Sequence, residues 1–191
     1  MLSAYLKQLG VEILDADDVV HGLQASGGEA VEPIRARFGS QVIAQDGSVD
    51  RGRLGQIVFS DPKARKDLND IMHPRVREII QRWKQHPGGC AIRAAVIPLL
   101  FEVGWEDDWD LIICVQSDTQ TQIDRLMRFR GLSAEQAHQR LDSQMPMAEK
   151  AARALLTVDN NAGEGMLASE AKRIYRLLME KSEYEHRTRR F

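Results

Sequence analysis

The sequence predicts an α/β fold with a doubly wound parallel sheet, because short apolar segments alternate along the chain with amphipathic helical patterns. The segments at 90–97 and 110–115 are almost continuously apolar, which is typical of strands buried on both faces of a parallel sheet. Shorter apolar segments at 11–14 and 155–158 predict two further strands. Ligands of such sheets bind beyond the carboxyl ends of the strands, so we expect the functional residues directly after these segments.

The composition is that of a globular domain that can bury a core. Of the 191 residues, 43% are hydrophobic and 28% are charged, and the formal net charge of −2 gives no basic field for nucleic acid. No apolar run approaches the ~18 residues that a membrane span needs, and the first residues lack the pattern of a signal peptide. We therefore expect one domain over residues 1–191, with neither nucleic acid nor a membrane as partner. The sequence does not indicate an oligomeric state.

The two cysteines are typical of a reducing compartment. Cys90 and Cys114 both lie in segments predicted to be buried strands, and no Cys/His spacing is typical of a zinc site. Because buried, reduced thiols fit the cytosol, we expect a cytoplasmic protein, and the sequence predicts no metal-ligating residues.

Helical patterns fill the chain between the predicted strands. Leu2, Leu6 and Leu9 recur at helical spacing before Gly10, which predicts a short first helix that ends at this glycine. Further helices are predicted at 19 to about 27, 29–38, 118–129 and 166–180.

Two longer segments are also helical. Residues 51–83 are interrupted at Ser60-Asp61-Pro62 and at His73-Pro74, because proline restricts the residue before it and favours a new helix start. The polar segment 131–153 predicts two helical halves that separate near Met145-Pro146.

Asp15 and Asp17 lie two residues apart at the end of the first predicted strand. If the extended geometry continues, both side chains leave the same side of the backbone, so one could act as a general base and the other as an orienting or metal-side group. The alternative is that a strand-to-helix turn favours aspartate as helix cap and turn former.

Pro98-Leu99-Leu100-Phe101-Glu102 combines an apolar wall with one carboxylate directly after a predicted strand, which suits a pocket for a substrate tail. The alternative is that these apolar residues belong to the core. His73 could contact a phosphate or a ribose, or it could satisfy a buried hydrogen bond.

Basic residues are scattered over the polar segment and the helix before it. A phosphoryl-transfer lid needs such guanidinium groups to neutralise the charge on the transferring phosphate. The alternative is that they keep surface helices soluble. The residues are Arg125, Arg128, Arg130, Arg140, Lys150 and Arg153.

Several short motifs occur together in a defined order, and through them the chain resembles the dephospho-coenzyme A kinase family over essentially its full length. The family is made of P-loop kinases that move the ATP γ-phosphate onto the ribose 3′-hydroxyl of dephospho-coenzyme A, the last step of coenzyme A synthesis. The motifs are Leu9-Gly10, Asp15-Ala16-Asp17, Phe38-Gly39, Asp46-Gly47, Asp50-Arg51, Leu54-Gly55, Ile57-Val58-Phe59, His73-Pro74, Pro98 to Glu102, Gln122 with Arg125-Leu126, Arg140, Gln144-Met145 and Asp159-Asn160-Asn161.

The resemblance implies a P-loop kinase fold with a helical coenzyme-binding lobe at about 51–83 and a lid at about 131–150. It implies ATP and Mg²⁺ as cofactors and dephospho-coenzyme A as the acceptor. It also implies roles for eight residues: Asp17 as the group that accepts or orients the hydroxyl proton, Asp15 as its supporting neighbour, His73, Leu99 and Glu102 in the acceptor pocket, Arg140 in the lid, and Asn160 and Asn161 in the adenine-side loop.

The sequence departs from the family pattern in two places. The family carries G-x-x-x-x-G-K-[S/T] on a strand and loop before the position of Leu2, and no such motif occurs here. We therefore expect the first central strand of the sheet to be missing, and a start codon assigned too late explains this more economically than a real truncation. In addition, Phe129 stands where the family has a lid arginine, between Arg128 and Arg130.

Two other functions remain open at this point. The chain could be another nucleoside or nucleotide kinase of the same architecture, although the motifs at His73-Pro74 and at Pro98 to Glu102 favour the coenzyme A enzyme. It could also be a catalytically inactive remnant that binds coenzyme A or a protein partner.

Overall fold

The computed structural model describes residues 2–86, 89–161 and 164–188. The chain forms two compact units. The first unit comprises Met1–Glu12, Cys90–Ile92 and Pro98–Phe191, and the second comprises Ile13–Gly89 and Arg93–Ile97. A single domain over residues 1–191 remains a prediction.

Strands and helices alternate along the chain, as the sequence predicts. The strands are β1 (Glu12–Asp15), β2 (Arg93–Val96), β3 (Ile113–Gln116) and β4 (Leu156–Asp159). The α-helices are α1 (Leu2–Gln8), α2 (Ala16–Gln24), α3 (Val31–Phe38), α4 (Arg51–Ser60), α5 (Pro62–Gln85), α6 (Thr119–Arg130), α7 (Ala134–Asp142), α8 (Met147–Arg153) and α9 (Glu164–Thr188), with 3-10 turns at Ser40–Val42 and Glu106–Asp108.

The described strands pair in two two-stranded sheets, β1 beside β2 and β3 beside β4. β3 and β4 are parallel, with Ile113 opposite Leu156 and Gln116 opposite Asp159. The α/β class with parallel strands is thereby confirmed.

The prediction that Cys90 lies in a buried strand is wrong. Cys90 is exposed, and β2 begins only at Arg93. The pairing with the first strand starts where the Glu12 amide donates to the Ile92 carbonyl at 3.2 Å, so Cys90 lies before the paired segment. Cys114 is buried in β3, as predicted.

Local capping explains where most helices begin. A side-chain oxygen before the helix accepts a hydrogen bond from a backbone N–H of the first turn, which satisfies a donor that has no partner within the helix. The caps are Asp15 for α2, Asp50 for α4, Asp61 for α5, Asp118 for α6 and Ser133, in a capping box with Gln136, for α7.

The predicted helix break at His73-Pro74 is wrong, because α5 continues through Pro74. Its buried face continues on both sides of the proline, at Met72, Val76 and Ile80. A proline inside a helix costs ~3 kcal/mol, whereas each large apolar side chain that is fully buried contributes about 1.5–3 kcal/mol. Packing of this face therefore outweighs the local effect of proline. The predicted break at Ser60-Asp61-Pro62 is confirmed.

Each unit has its own apolar core. Ala30, Ile34 and Val42 are fully buried in the second unit. In the first unit α9 buries Leu167, Ala171 and Ile174 and packs against α1, whose Leu2 and Leu6 are buried as the leucine spacing predicts. Within the described part of the chain, no helix is both long enough and apolar enough to cross a membrane.

Candidate active site

Asp15 is the last residue of β1 and the N-cap of α2. Its carboxylate Oδ1 accepts a hydrogen bond from the Asp17 backbone N–H at 2.9 Å. The helix begins at Ala16, so the extended geometry on which the expectation of a shared side depends does not continue to Asp17. For Asp15, the capping alternative is the one that the structure shows.

Asp17 lies in the first turn of α2, and its side chain is exposed. No described residue forms a hydrogen bond or an ion pair with its carboxylate. The first turn carries the positive end of the helix dipole, which stabilises a carboxylate there without a side-chain partner. Asp18 follows it in the same turn and is also exposed, which makes Asp18 a natural comparison for Asp17.

His73 lies within α5, and its side chain is partly buried. Burial lowers the pKa of His73 below 6.5, and the nearby negative charge of Asp70 offsets only part of this effect. The imidazole is therefore mainly neutral at pH 7, when one ring nitrogen donates and the other accepts.

The segment Pro98–Glu102 forms turns after β2. The Leu99 carbonyl accepts from the Val103 N–H at 3.1 Å, and the Leu100 carbonyl accepts from the Trp105 N–H at 3.1 Å. Leu99 is 40% exposed, whereas Phe101 is buried. Phe101 therefore belongs to the core, whereas the Leu99 side chain is accessible to a ligand.

Glu102 accepts two hydrogen bonds on the same oxygen. Its Oε1 lies 2.6 Å from the Lys150 ammonium and 3.0 Å from the Met145 backbone N–H. Burial raises the pKa of Glu102, but the hydrogen bonds from Lys150, from the Glu102 backbone N–H and from the Met145 N–H, together with the charge of Lys150, outweigh burial, so the net pKa is below 4.5. The carboxylate is therefore ionised at neutral pH.

Lys150 is a residue whose place the sequence reasoning missed. Its sequence position groups it with the basic residues of the lid, yet it is only 7% exposed and lies against Glu102 and the Pro98 carbonyl. The signal was its position in α8 between apolar and small residues, in the sequence Met147-Ala148-Glu149-Lys150-Ala151-Ala152. A lysine on such a face either extends to solvent or finds a buried partner.

The arginines of this region divide into two groups. Arg125 donates to the Asn160 carbonyl at 2.7 Å, and Arg153 pairs with Glu106 while its guanidinium lies 4.8 Å from the centre of the Phe101 ring. The guanidinium groups of these two arginines therefore bind other parts of the protein. By contrast, Arg140 is exposed near the end of α7, and its guanidinium has no partner among the described residues.

The loop after β4 is fixed by its asparagines. The Asn160 N–H donates to the Gln116 carbonyl at 2.8 Å, and the Asn161 side-chain oxygen accepts from the Asp118 N–H at 3.0 Å. Asn161 therefore has a structural role. The Asn160 side-chain oxygen is buried and has no partner among the residues that the structure describes.

The structure brings some of the expected site residues together. Glu102 contacts the segment between α7 and α8 through Met145, and Asn160 and Asn161 occupy one loop. The second unit contains Asp15, Asp17 and His73, and the first contains Leu99, Glu102, Arg140, Asn160 and Asn161.

Known proteins of one family resemble this chain. The family profile described as dephospho-CoA kinase matches residues 1–165. A dephospho-CoA kinase of Symbiobacterium thermophilum is 42% identical over 161 residues, which cover 83% of this chain and 67% of that protein. A dephospho-CoA kinase of Geobacter sulfurreducens is 38% identical over 162 residues, with 84% of this chain and 82% of that protein covered.

Solved structures show the same architecture. A Thermus thermophilus crystal structure matches with a TM-score of 0.75 and 29% identity, covering 93% of this chain and 88% of that one. The dephospho-CoA kinase of Campylobacter jejuni matches with a TM-score of 0.67 and 26% identity, covering 96% and 91%. The fold is that of the P-loop kinases. The chain belongs to the dephospho-CoA kinase family, which confirms the predicted family, enzyme class and place in coenzyme A synthesis.

Proposed function

We propose that this protein transfers the γ-phosphate of ATP to the ribose 3′-hydroxyl of dephospho-coenzyme A in the cytoplasm. A bond forms between the 3′-oxygen and the γ-phosphorus, the bond from that phosphorus to the β,γ-bridging oxygen breaks, and ADP leaves. The hydroxyl proton passes to a carboxylate. The support for this reaction is the family profile over residues 1–165.

The placement of Asp17 is the observation that carries the chemical part of the proposal. A general base must have an accessible carboxylate at the edge of the sheet where ligands bind. Asp17 lies directly beyond the carboxyl end of β1 and is exposed, and its own backbone N–H is already bonded to Asp15. In this proposal Asp17 aligns the 3′-hydroxyl and accepts its proton, while Asp15 holds the start of α2.

Three residues are each proposed to contact the acceptor: Leu99 and Glu102 of the first unit, and His73 of the second. Leu99 offers an exposed apolar side chain, as contact with the tail of the coenzyme requires. Glu102 offers an ionised carboxylate, and His73 offers a mainly neutral imidazole that can donate or accept a hydrogen bond.

The nucleotide side is proposed on Arg140, Asn160 and Asn161. The Arg140 guanidinium has no partner within the described part of the chain, and such a group can neutralise charge on the transferring phosphate. The buried Asn160 side-chain oxygen can accept a hydrogen bond from an adenine amino group, while Asn161 keeps the loop closed against α6.

Magnesium accompanies ATP in this proposal, and no step is derived through it. Mg²⁺ in such enzymes is held by one or two protein groups together with substrate phosphates. Within the described residues, no three His, Cys, Asp or Glu side chains come together as a metal site, and residues 1–191 contain no G-x-x-x-x-G-K-[S/T] motif. No residue is therefore assigned here to the metal or to the β-phosphate.

The test uses the chain extended at its N-terminus by a strand and a G-x-x-x-x-G-K-[S/T] loop, which we call the loop-extended form. It is incubated with Mg²⁺-ATP and either dephospho-coenzyme A or AMP, and ADP release and product mass are measured. We expect coenzyme A as product and tighter calorimetric binding of dephospho-coenzyme A than of AMP. Equal use of AMP would instead favour a general nucleotide kinase, and binding of dephospho-coenzyme A without turnover would favour an inactive coenzyme-binding protein.

A further inference from the structure

Lys150 of α8 is buried, whereas a lysine that acts in a lid must be accessible to the substrate. It is 7% exposed, and with Gln24 it makes up the buried polar side chains of the described chain. Lysine is rarely buried without partners that satisfy its charge. The contacts of Lys150 therefore indicate what it does.

The Lys150 ammonium has three donors and three acceptors around it. Its Nζ lies 2.6 Å from Glu102 Oε1, 3.1 Å from the Pro98 carbonyl oxygen and 3.5 Å from Gln144 Oε1. The first two contacts hold the two ends of the same five-residue turn. With its donors taken by the protein and its side chain buried, Lys150 has no capacity left to bind a phosphate.

The same contacts determine which oxygen of Glu102 remains available. Lys150 and the Met145 N–H both use Oε1. No other described residue forms a hydrogen bond or an ion pair with Oε2, and the Glu102 side chain keeps 20% of its surface exposed. The carboxylate is thus fixed through one oxygen and presents the other.

Arg153 reinforces this arrangement from the next turn of α8. It pairs with Glu106, a few residues beyond Glu102, and stacks on Phe101 of the turn. Two cations of one helix therefore bind the segment Pro98–Asp108, which consists of turns and one 3-10 helix.

We propose that Lys150 is a positioning residue that fixes the Pro98–Glu102 turn and directs Glu102 Oε2 toward a hydroxyl or amide N–H donor of the acceptor substrate. This inference rests on the proposed function. A carboxylate repels phosphate and accepts hydrogen bonds from neutral donors, so Glu102 would bind a non-phosphate part of dephospho-coenzyme A. Loss of Lys150 would then weaken the acceptor and leave ATP binding unchanged.

The first experiment is independent of turnover. The titration of the Glu102 side chain is followed by NMR in the unextended chain, in Lys150→Met and in the control Lys172→Met, which removes an exposed lysine of α9. We expect the pKa of Glu102 to rise in Lys150→Met and to stay unchanged in Lys172→Met. An unchanged pKa of Glu102 in Lys150→Met would overturn the positioning role whatever the protein phosphorylates.

The second experiment measures kinetics in the loop-extended form. We expect Lys150→Met to raise the KM for dephospho-coenzyme A by about tenfold or more, while the KM for ATP changes less than about twofold, and Lys150→Arg to recover part of the loss. A rise in the KM for ATP alone would overturn the proposal, because it would make Lys150 a phosphate-binding residue. If Glu102 responds to Lys150→Met but the parent form does not phosphorylate dephospho-coenzyme A, the substrate assignment fails and the proposed function fails with it.

The double variant Lys150→Met/Glu102→Gln tests the proposal even if Lys150→Met alone does not fold. Removing one partner of a buried pair leaves an unpaired charge, whereas the double change leaves none. If Lys150 acts only through Glu102, the KM for dephospho-coenzyme A of the double variant should match that of Glu102→Gln within about twofold. A clearly higher KM in the double variant would overturn the proposal.

Discussion

The carboxylate of Asp15 accepts a hydrogen bond from the backbone N–H of Asp17 at 2.9 Å. This one contact separates two residues that look equivalent in the sequence. Asp15 uses its side chain to begin α2, whereas Asp17 contributes only its backbone and keeps its carboxylate accessible. The two residues should therefore respond differently to the same substitution.

Asp15→Ala should lower the free energy of unfolding by about 0.5–2 kcal/mol, because it removes the N-cap of α2. Asp15→Asn should cost less, because asparagine caps helices about as well as aspartate. Urea unfolding of the unextended chain, followed by circular dichroism, measures both. Equal losses for the two variants would show that the charge of Asp15, rather than its cap, stabilises the fold.

The unextended chain should release ADP slowly in the presence of dephospho-coenzyme A and Mg²⁺-ATP. Residues 1–191 contain no phosphate-binding motif, and losing one preorganised donor of this kind costs about 10²–10³-fold in rate. A coupled ADP assay compares it with the loop-extended form. Turnover of the unextended chain at the ~1–100 per second of ordinary kinases would show that the reaction does not need such a motif.

The sequence predicts the order of strands and helices because their signals are local. Apolar runs, aspartate and serine caps and helix-ending glycines act within a few residues. For example, α6 ends at Arg130 because Gly131, with φ 66°, forms its C-cap. The continuation of α5 through Pro74 could not be predicted in this way, since it depends on the packing of Met72, Val76 and Ile80 in the core.

The candidate site shows the same limit. Spacing alone predicts Asp15, Asp17 and the turn that ends in Glu102 as candidate parts of the site. It could not show that α2 begins at Ala16, which separates the roles of the two aspartates, nor that Glu102 meets Lys150, 48 positions further along the chain. Contacts between distant residues are set by the tertiary fold.

His73 should make the unfolding free energy depend on pH. Burial lowers the pKa of His73 in the folded chain below its ordinary 6.5, so the unfolded chain binds more protons just below that value. The contribution is fully present above pH 6.5 and is lost as the pH falls toward the folded-state pKa. Urea unfolding between about pH 7 and pH 5 should show a smaller loss in His73→Asn than in the parent chain.

The control for this measurement is His138→Asn, since His138 is exposed on α7. This control tests whether removing an exposed imidazole changes the pH dependence of the unfolding free energy in the same way. A pH dependence that is identical in His73→Asn and the parent chain would contradict the prediction that burial of His73 opposes its protonation.

Arg140→Ala should lower the kcat of the loop-extended form by about 10–10³-fold, if its guanidinium neutralises charge on the transferring phosphate. Arg128→Ala is the matched control, because the Arg128 guanidinium lies 5.3 Å from the centre of the neighbouring Phe129 ring. We expect the control to change kcat by less than about twofold. The reverse result would assign the lid arginine to Arg128.

Asp17→Asn in the loop-extended form should lower kcat by at least about a hundredfold, since a positioned general base contributes roughly 10²–10⁴-fold. A ribose hydroxyl is a poor nucleophile at neutral pH, so a carboxylate must align it and take its proton as the bond to phosphorus forms. Asparagine keeps the shape and one acceptor oxygen but cannot take the proton. The affinity for dephospho-coenzyme A should change little, because the lost interaction acts mainly in the transition state.

Asp18→Asn is the matched control for Asp17→Asn, because Asp18 is also exposed in the first turn of α2. The two variants lose the same charge near the same helix end, so any effect on the helix dipole is shared between them. Steady-state kinetics and calorimetry with dephospho-coenzyme A should therefore show a loss of kcat in Asp17→Asn only. A large loss in Asp18→Asn with an active Asp17→Asn would move the base to Asp18, and a loss confined to Asp15→Asn would move it to Asp15. If all three variants remain active, the reaction proceeds by positioning of the substrates without a carboxylate base in this turn.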